Sequence, residues 1–176
     1  MRLCSLNHLL GELLLREKSE RIVVLGSASL LAHFPEIGEQ GFPLETTYDA
    51  DLLLQPVNKE IALRLASELG INAAFHAEHG YHADILHPTI VESLPPGWES
   101  RLVTLNGFEN VYALDPYDLA AVKVVVGREK DMALVRGLLR LGKISADKLR
   151  ERLHAMPLGE KEMFRAGRNL HDLTEV

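Results

Sequence analysis

The sequence predicts an α+β fold: a small mixed sheet flanked by helices, with a C-terminal helical lobe packed on it. Three observations predict it. Short apolar, β-branched runs alternate with helix-like segments as far as residue 114. Beyond Asp115-Pro116 every segment carries helical periodicity. A chain of 176 residues, 47% hydrophobic and 25% charged, can bury one core with a small appended lobe. The expected division is an α/β core over 1–114, including an N-terminal helix, and a helical lobe over 115–176.

Leu3, Leu6, Leu10, Leu13 and Leu14 recur at helical spacing. They predict an amphipathic core helix rather than a signal peptide, because Asn7, His8 and Glu12 interrupt the run and no small-residue cleavage site follows. Cys4 on that helix is expected to be a small buried residue. Arg21 to Leu25 (RIVVL) reads as a buried strand, ended by Gly26-Ser27. Ala28 to His33 is helix-compatible and is closed by Pro35; Gly38, Gly41 and Pro43 mark a loop. Thr46 to Leu54 reads as the next strand. Asn58 caps a helix running through Leu69, with Gly70 just past its end.

Residues 71–87 read as one or two strands, turning or bulging at Gly80. Pro95-Pro96-Gly97 breaks the chain, and Trp98 after it is expected to pack as a lid on the core. Asn106-Gly107 is a hairpin signal joining 101–105 to 111–114. Asp115 then supplies an N-cap with Pro116 at the first helical position. The expected helices are 116–126, 129–141, 145–155 and 159–171, divided by Gly142 and by Pro157-Leu158-Gly159.

Net charge is −6. An acidic chain is not coated with the positive charge that grips duplex nucleic acid along its length, so broad duplex binding is excluded. The charge is nevertheless divided. Residues 1–119 hold 7 Lys/Arg against 17 Asp/Glu, net −10, and residues 120–176 hold 12 against 8, net +4. A local phosphate-bearing substrate is compatible with that division. Cys4 is the single cysteine, which excludes an internal disulfide framework and a cysteine-rich zinc site and suits a reducing cytoplasm. No run of 18 apolar residues exists, so no membrane helix is expected.

Two features carry chemistry. Gly26-Ser27 stands at a strand-to-helix turn, where glycine permits close backbone approach and a helix start offers unpaired amides to phosphate; a plain tight turn is the alternative. Asp49-Ala50-Asp51 places two carboxylates on one face of a strand, because residues two apart point the same way. Paired carboxylates at a sheet end are costly without a cation, and Mg²⁺ is held by one or two carboxylates together with substrate phosphates. Asp84, in His82-Ala83-Asp84-Ile85-Leu86, is the candidate third carboxylate of a metal site. A solvated strand end is the alternative.

The segments VVLGSASLL, TTYDADLLL and HADIL, in that order, resemble the DNA polymerase β-like nucleotidyltransferase superfamily. LPPGWESRLV and LDPYDLAAVKVVVGREKD are similar to the minimal bacterial nucleotidyltransferase-like family DUF6036, and more loosely to AbiEii-type toxin nucleotidyltransferases. The resemblance spans most of residues 20–140. It implies that Gly26 and Ser27 hold nucleotide phosphates and that Asp49 and Asp51 bind Mg²⁺ or Mn²⁺. It also implies that Asp84 is a third metal ligand or the base for an incoming hydroxyl. The implied reaction is attack of a hydroxyl on the α-phosphorus of an NTP with release of pyrophosphate. The acceptor could be an RNA end, a protein or a small molecule. The resemblance further implies a possible toxin–antitoxin or phage-defence role, with a cognate antitoxin as partner. Two departures stand out: the stretch from Ala28 to Tyr48 is long, and Glu45 replaces an arginine common in relatives. They leave open an inactive member that senses nucleotides or binds a partner.

Lys123 sits in the apolar helix AAVKVVV, and by the resemblance it faces nucleotide phosphate, with Arg128 beside it. The alternative is that Arg128, Lys130 and Asp131 tie two helices together by ion pairs. His76, His79, His82 and His87 lie within twelve residues. A zinc site would need three or four convergent ligands; the competing expectation is that one or two of them line the cleft beside Asp84, or are simply exposed. His33 is expected to be structural.

Overall fold

In the computed structural model, residues 1–43 and 47–174 are described, and they form a mixed α+β protein. Glu45, one of the two departures noted above, lies outside the described residues. The chain divides into two compact units, Met1–Ile90 with Leu102–Leu114, and Val91–Arg101 with the chain from Asp115.

The first unit holds α1 (Leu3–Arg16), β1 (Arg21–Val24), β2 (Asp49–Gln55), α2 (Lys59–Leu69), α3 (Ala74–His79), β3 (His82–Ile85), β4 (Val103–Thr104) and β5 (Val111–Ala113). The strands form one open sheet in the order β3-β2-β1-β5-β4. β2 runs antiparallel to β1, β3 runs parallel to β2, β5 runs parallel to β1 and β4 closes a hairpin with β5. The reason lies in the apolar runs: Ile22, Val23, Val24, Leu52, Leu53 and Leu54 have no exposed surface, so both faces of the central strands are covered. Each such side chain contributes about 1.5–3 kcal/mol of burial.

Several expectations hold. Asn58 Oδ1 accepts from Ile61 N at 2.9 Å and caps α2, which ends at Leu69. The Asn106-Gly107 region does turn a hairpin, with Gly107 at φ 94°. Leu105 N donates to Val111 O, so the connection spans residues 106–110 rather than a two-residue turn.

Others change. The stretch before β3 is helix α3, not strand. Phe75 and His79 are one helical turn apart with ring centroids 4.6 Å from each other, a contact that only helical spacing provides. Gly80 then ends the helix in the left-handed conformation, φ 76°. The segment after Gly26 is a 3₁₀ helix, Ser27–Ala32, with i to i+3 bonds such as Ser29 N to Gly26 O. Cys4 is exposed, because the buried face of α1 is set by Leu6, Leu9, Leu10 and Leu13 and position 4 points away from it.

The second unit holds α4 (Pro116–Val126), α5 (Glu129–Arg140), α6 (Ala146–His154) and α7 (Glu160–Thr174), with α4 packed against the other three. Asp115 Oδ1 accepts from Tyr117 N and Asp118 N, the expected cap. Asp118 is fully buried and is gripped by Arg101, through Nε at 2.9 Å and Nη2 at 3.0 Å, and by Arg152. Trp98 is buried in this unit. Among the described residues no helix is long and apolar enough to cross a membrane.

Candidate functional site

The pairing of β2 with β3 sets Asp49 opposite His82, Ala50 opposite Ala83 and Asp51 opposite Asp84. Side chains alternate along strands, so Asp49 and Asp51 share a face with His82 and Asp84. Ala50, Leu52 and Leu54 take the other face of β2 and are buried, which fixes the register: a slip of one residue would bury both carboxylates. Ligand oxygens of Asp49, Asp51 and Asp84 all lie within 4.8 Å of one another. Asp49 and Asp51 are half-buried, and 47% of the Asp84 side chain is exposed.

Asp51 and Asp84 are like charges placed directly opposite, an arrangement that destabilises a sheet on its own. An all-carboxylate oxygen set suits a hard divalent cation such as Mg²⁺ or Mn²⁺. The donor chemistry therefore fits the metal that the sequence implies.

The Gly26-Ser27 turn reaches this face through β1. Leu25 N donates to Asp51 O at 2.9 Å, continuing the β1–β2 ladder one residue past Val24. A Cβ on Gly26 would stand 1.7 Å from Asp51 Oδ2 and 2.6 Å from its Cγ. Gly26 has φ −79°, so the glycine is required for space rather than for backbone conformation. Ser27 follows it, half-buried. On the other side, the Met1 amine donates to Thr47 O. Burial lowers its pKa below the ordinary value, and the nearby Asp49 carboxylate works against that shift.

Tyr48 and Tyr81, each immediately ahead of a residue of the carboxylate face, line a cavity of about 470 Å³ together with Arg2, Ser5, Gln40 and His79. A cavity of about 480 Å³ between α2 and the end of β3 is lined by Val57, Leu63, Ile85 and Leu86. Ile85 points away from the carboxylate face, so that cleft is separate from the acidic cluster.

The four neighbouring histidines do not converge. His82 is 6% exposed, with Nε2 3.6 Å from Asp84 Oδ1. Its Nδ1 lies 3.0 Å from His76 Nδ1, the two rings stacked with centroids 4.7 Å apart. His79 packs instead on Phe75, His8 and Tyr81, and His87 bonds Thr89 Oγ1 at 2.9 Å. One histidine thus borders the acidic cluster, as expected, and a second backs it. Which of the four was signalled by the i, i+2 alternation of His82 and Asp84, a spacing that puts both on one strand face. His33 Nε2 meets Leu114 O at 3.0 Å and serves the fold.

In the second unit, Lys123 Nζ and Arg128 Nε bond opposite oxygens of Asp131 at 2.7 and 2.6 Å. Asp131 is 1% exposed. Burial pushes its pKa up, and the bonds from Arg128 and Lys123 outweigh this, holding it below the usual carboxylate value. The three residues tie α4 to the start of α5 and together keep one net positive charge.

A family model described as "Nucleotidyltransferase of unknown function (DUF6036)" matches residues 1–166. The chain belongs to this family. No curated protein and no solved structure matches the chain. The DUF6036 match takes in both units, and so includes Gly26, Ser27, Asp49, Asp51, Asp84, Lys123 and Arg128. The DUF6036 description names a class of chemistry, nucleotidyl transfer, for which an NTP is the implied donor.

Proposed function

We propose that this DUF6036 protein transfers a nucleoside monophosphate from an NTP to a hydroxyl acceptor, using the carboxylate face of β2 and β3. The observation that carries this reading is the convergence of Asp49, Asp51 and Asp84 within 4.8 Å on a face whose like charges call for a cation. Asp49, Asp51 and Asp84 would hold Mg²⁺ or Mn²⁺, whose chemistry there is to neutralise charge on the phosphoryl oxygens and the departing pyrophosphate. Gly26, whose missing Cβ makes room for the Asp51 carboxylate, and Ser27, with its hydroxyl, are the residues that would meet the triphosphate oxygens, as the family resemblance implies. Asp84, the most exposed of the three, takes the proton of the acceptor hydroxyl. The acceptor oxygen forms a bond to the α-phosphorus as the bond from that phosphorus to the bridging oxygen breaks, and pyrophosphate leaves.

Lys123 and Arg128 are assigned a contact to nucleotide phosphate on the strength of the family resemblance. The test is incubation with each labelled NTP, Mg²⁺ or Mn²⁺, and RNA, protein or small-molecule acceptors. Label transfer that vanishes in Asp49→Ala/Asp51→Ala supports the reading, and transfer that survives the loss of both carboxylates sinks it. NTP binding with neither turnover nor metal dependence would instead mark a nucleotide-sensing module. A toxin–antitoxin or defence role is tested by the neighbouring gene, where a small helix-turn-helix protein would be the expected partner.

A further inference from the structure

His76 and His82 are used by no step of the reaction above, yet they form a chain, buried at His82, that ends on Asp84. Two ring nitrogens 3.0 Å apart, His76 Nδ1 and His82 Nδ1, need one proton between them: one donates and the other accepts. The opposite nitrogen of His82, Nε2, faces Asp84 Oδ1 at 3.6 Å. A lone pair at Nε2 would repel the carboxylate, and an N–H would be attracted to it. The carboxylate therefore selects the Nε2–H tautomer of His82, which leaves Nδ1 as the acceptor and makes His76 the Nδ1–H donor. His82 is 6% exposed, so water competes little for its bond to His76 or for its electrostatic contact with Asp84. It also lies opposite Asp49 in the strand register, which anchors it by both the backbone ladder and the ring stack with His76.

We infer that His82, backed by His76, is a positioning residue that orients the Asp84 carboxylate toward the cation and acceptor. The inference rests on the cation site proposed above. A flexible carboxylate on a half-exposed strand end samples several rotamers. A donor aimed at Oδ1 restricts it and so fixes where Oδ2 points, the role that outer hydrogen-bond partners play for metal-ligating groups. His76 in turn holds the plane of the His82 ring.

The decisive experiment pairs imidazole NMR with direct cation binding. Long-range ¹H–¹⁵N spectra of the ¹⁵N-histidine-labelled protein should show His82 protonated at Nε2 and bare at Nδ1, with His76 protonated at Nδ1. A proton on His82 Nδ1 reverses the chain and overturns the inference, whatever the protein binds. Mn²⁺ affinity, followed by electron paramagnetic resonance, should fall about tenfold in His82→Leu. His82→Gln places an amide N–H near the position of Nε2 and should stay within about threefold of the parent. His82→Leu that is folded by circular dichroism and binds Mn²⁺ like the parent would overturn the inference while leaving the carboxylate site intact, as would Gln and Leu weakening binding equally. A parent protein that binds no Mn²⁺ overturns the site reading and this inference with it.

Discussion

The carboxylate of Asp51 fills the space that a side chain on Gly26 would need, with Oδ2 1.7 Å from where that Cβ would be. Strand pairing makes this contact, since Leu25 N bonds Asp51 O and brings the turn alongside the acidic residue.

Gly26→Ala must therefore push Asp51 aside. Overpacking of this kind costs about 1–3 kcal/mol, and the displaced carboxylate should lose cation affinity and turnover. Gly11→Ala is the control: it lies within α1 with nothing within 4 Å of its Cβ, and should be neutral or slightly stabilising. Thermal melts with and without Mn²⁺ check both, and a Gly26→Ala protein with parental cation binding would contradict the packing argument.

Asp51 opposite Asp84 predicts a trade between stability and activity. Asp49→Asn/Asp51→Asn should melt at or above the parent temperature without divalent cation, because like-charge repulsion is relieved. Mg²⁺ at 100 times its Kd should stabilise the parent by about 2.7 kcal/mol and the double variant by nothing. A Mg²⁺ shift of equal size in both proteins would locate the cation elsewhere.

Asp131 gives a pH dependence with a definite sign. Its folded pKa is depressed, so its contribution is present above the unfolded value of about 3.9 and is lost as pH falls through the lowered folded value. Denaturant melts from pH 6 to pH 2.5 should show the parent losing its advantage over Asp131→Asn in that acid window. At pH 7 the variant should be less stable by about 3 kcal/mol, since Lys123, only 12% exposed, loses its partner. An advantage that persists unchanged to pH 2.5 would refute it.

Asp118 should be the most sensitive residue of the second unit. It has no exposed surface and accepts from Arg101 and Arg152. Asp118→Ala leaves two partly buried guanidinium groups facing each other, at a cost of about 3–5 kcal/mol. Chemical denaturation of the full chain reads this directly, and a loss below about 1 kcal/mol would mean that water replaces the carboxylate at little cost.

Local signals in the sequence carry the parts of the fold that local physics decides. Asn58 and Gly70 bound α2, and Asp115-Pro116 starts α4, because caps satisfy nearby amides whatever packs on the helix. The paired carboxylates on β2 were legible from alternation alone. Asp84 depends on β3 lying next to β2 in parallel register, a long-range pairing that only the assembled sheet sets. Helix α3 is not legible as a helix, because six residues with one buried apolar side chain, Phe75, give too little periodicity to separate 3.6 from 2. The His76–His82 contact joins that helix to β3, so the same lack of periodicity conceals it.

The interleaving of the two units has a consequence for the order in which the protein can be made. Strand β5, which completes the centre of the sheet beside β1, spans Val111–Ala113, so about ninety residues separate the two partners in the chain. During synthesis β1 waits for it with one edge bare, and Val91–Arg101 of the other unit leaves the ribosome first. A fragment ending at residue 114 would complete the sheet but strand Arg101 without Asp118, so no single cut yields both units whole.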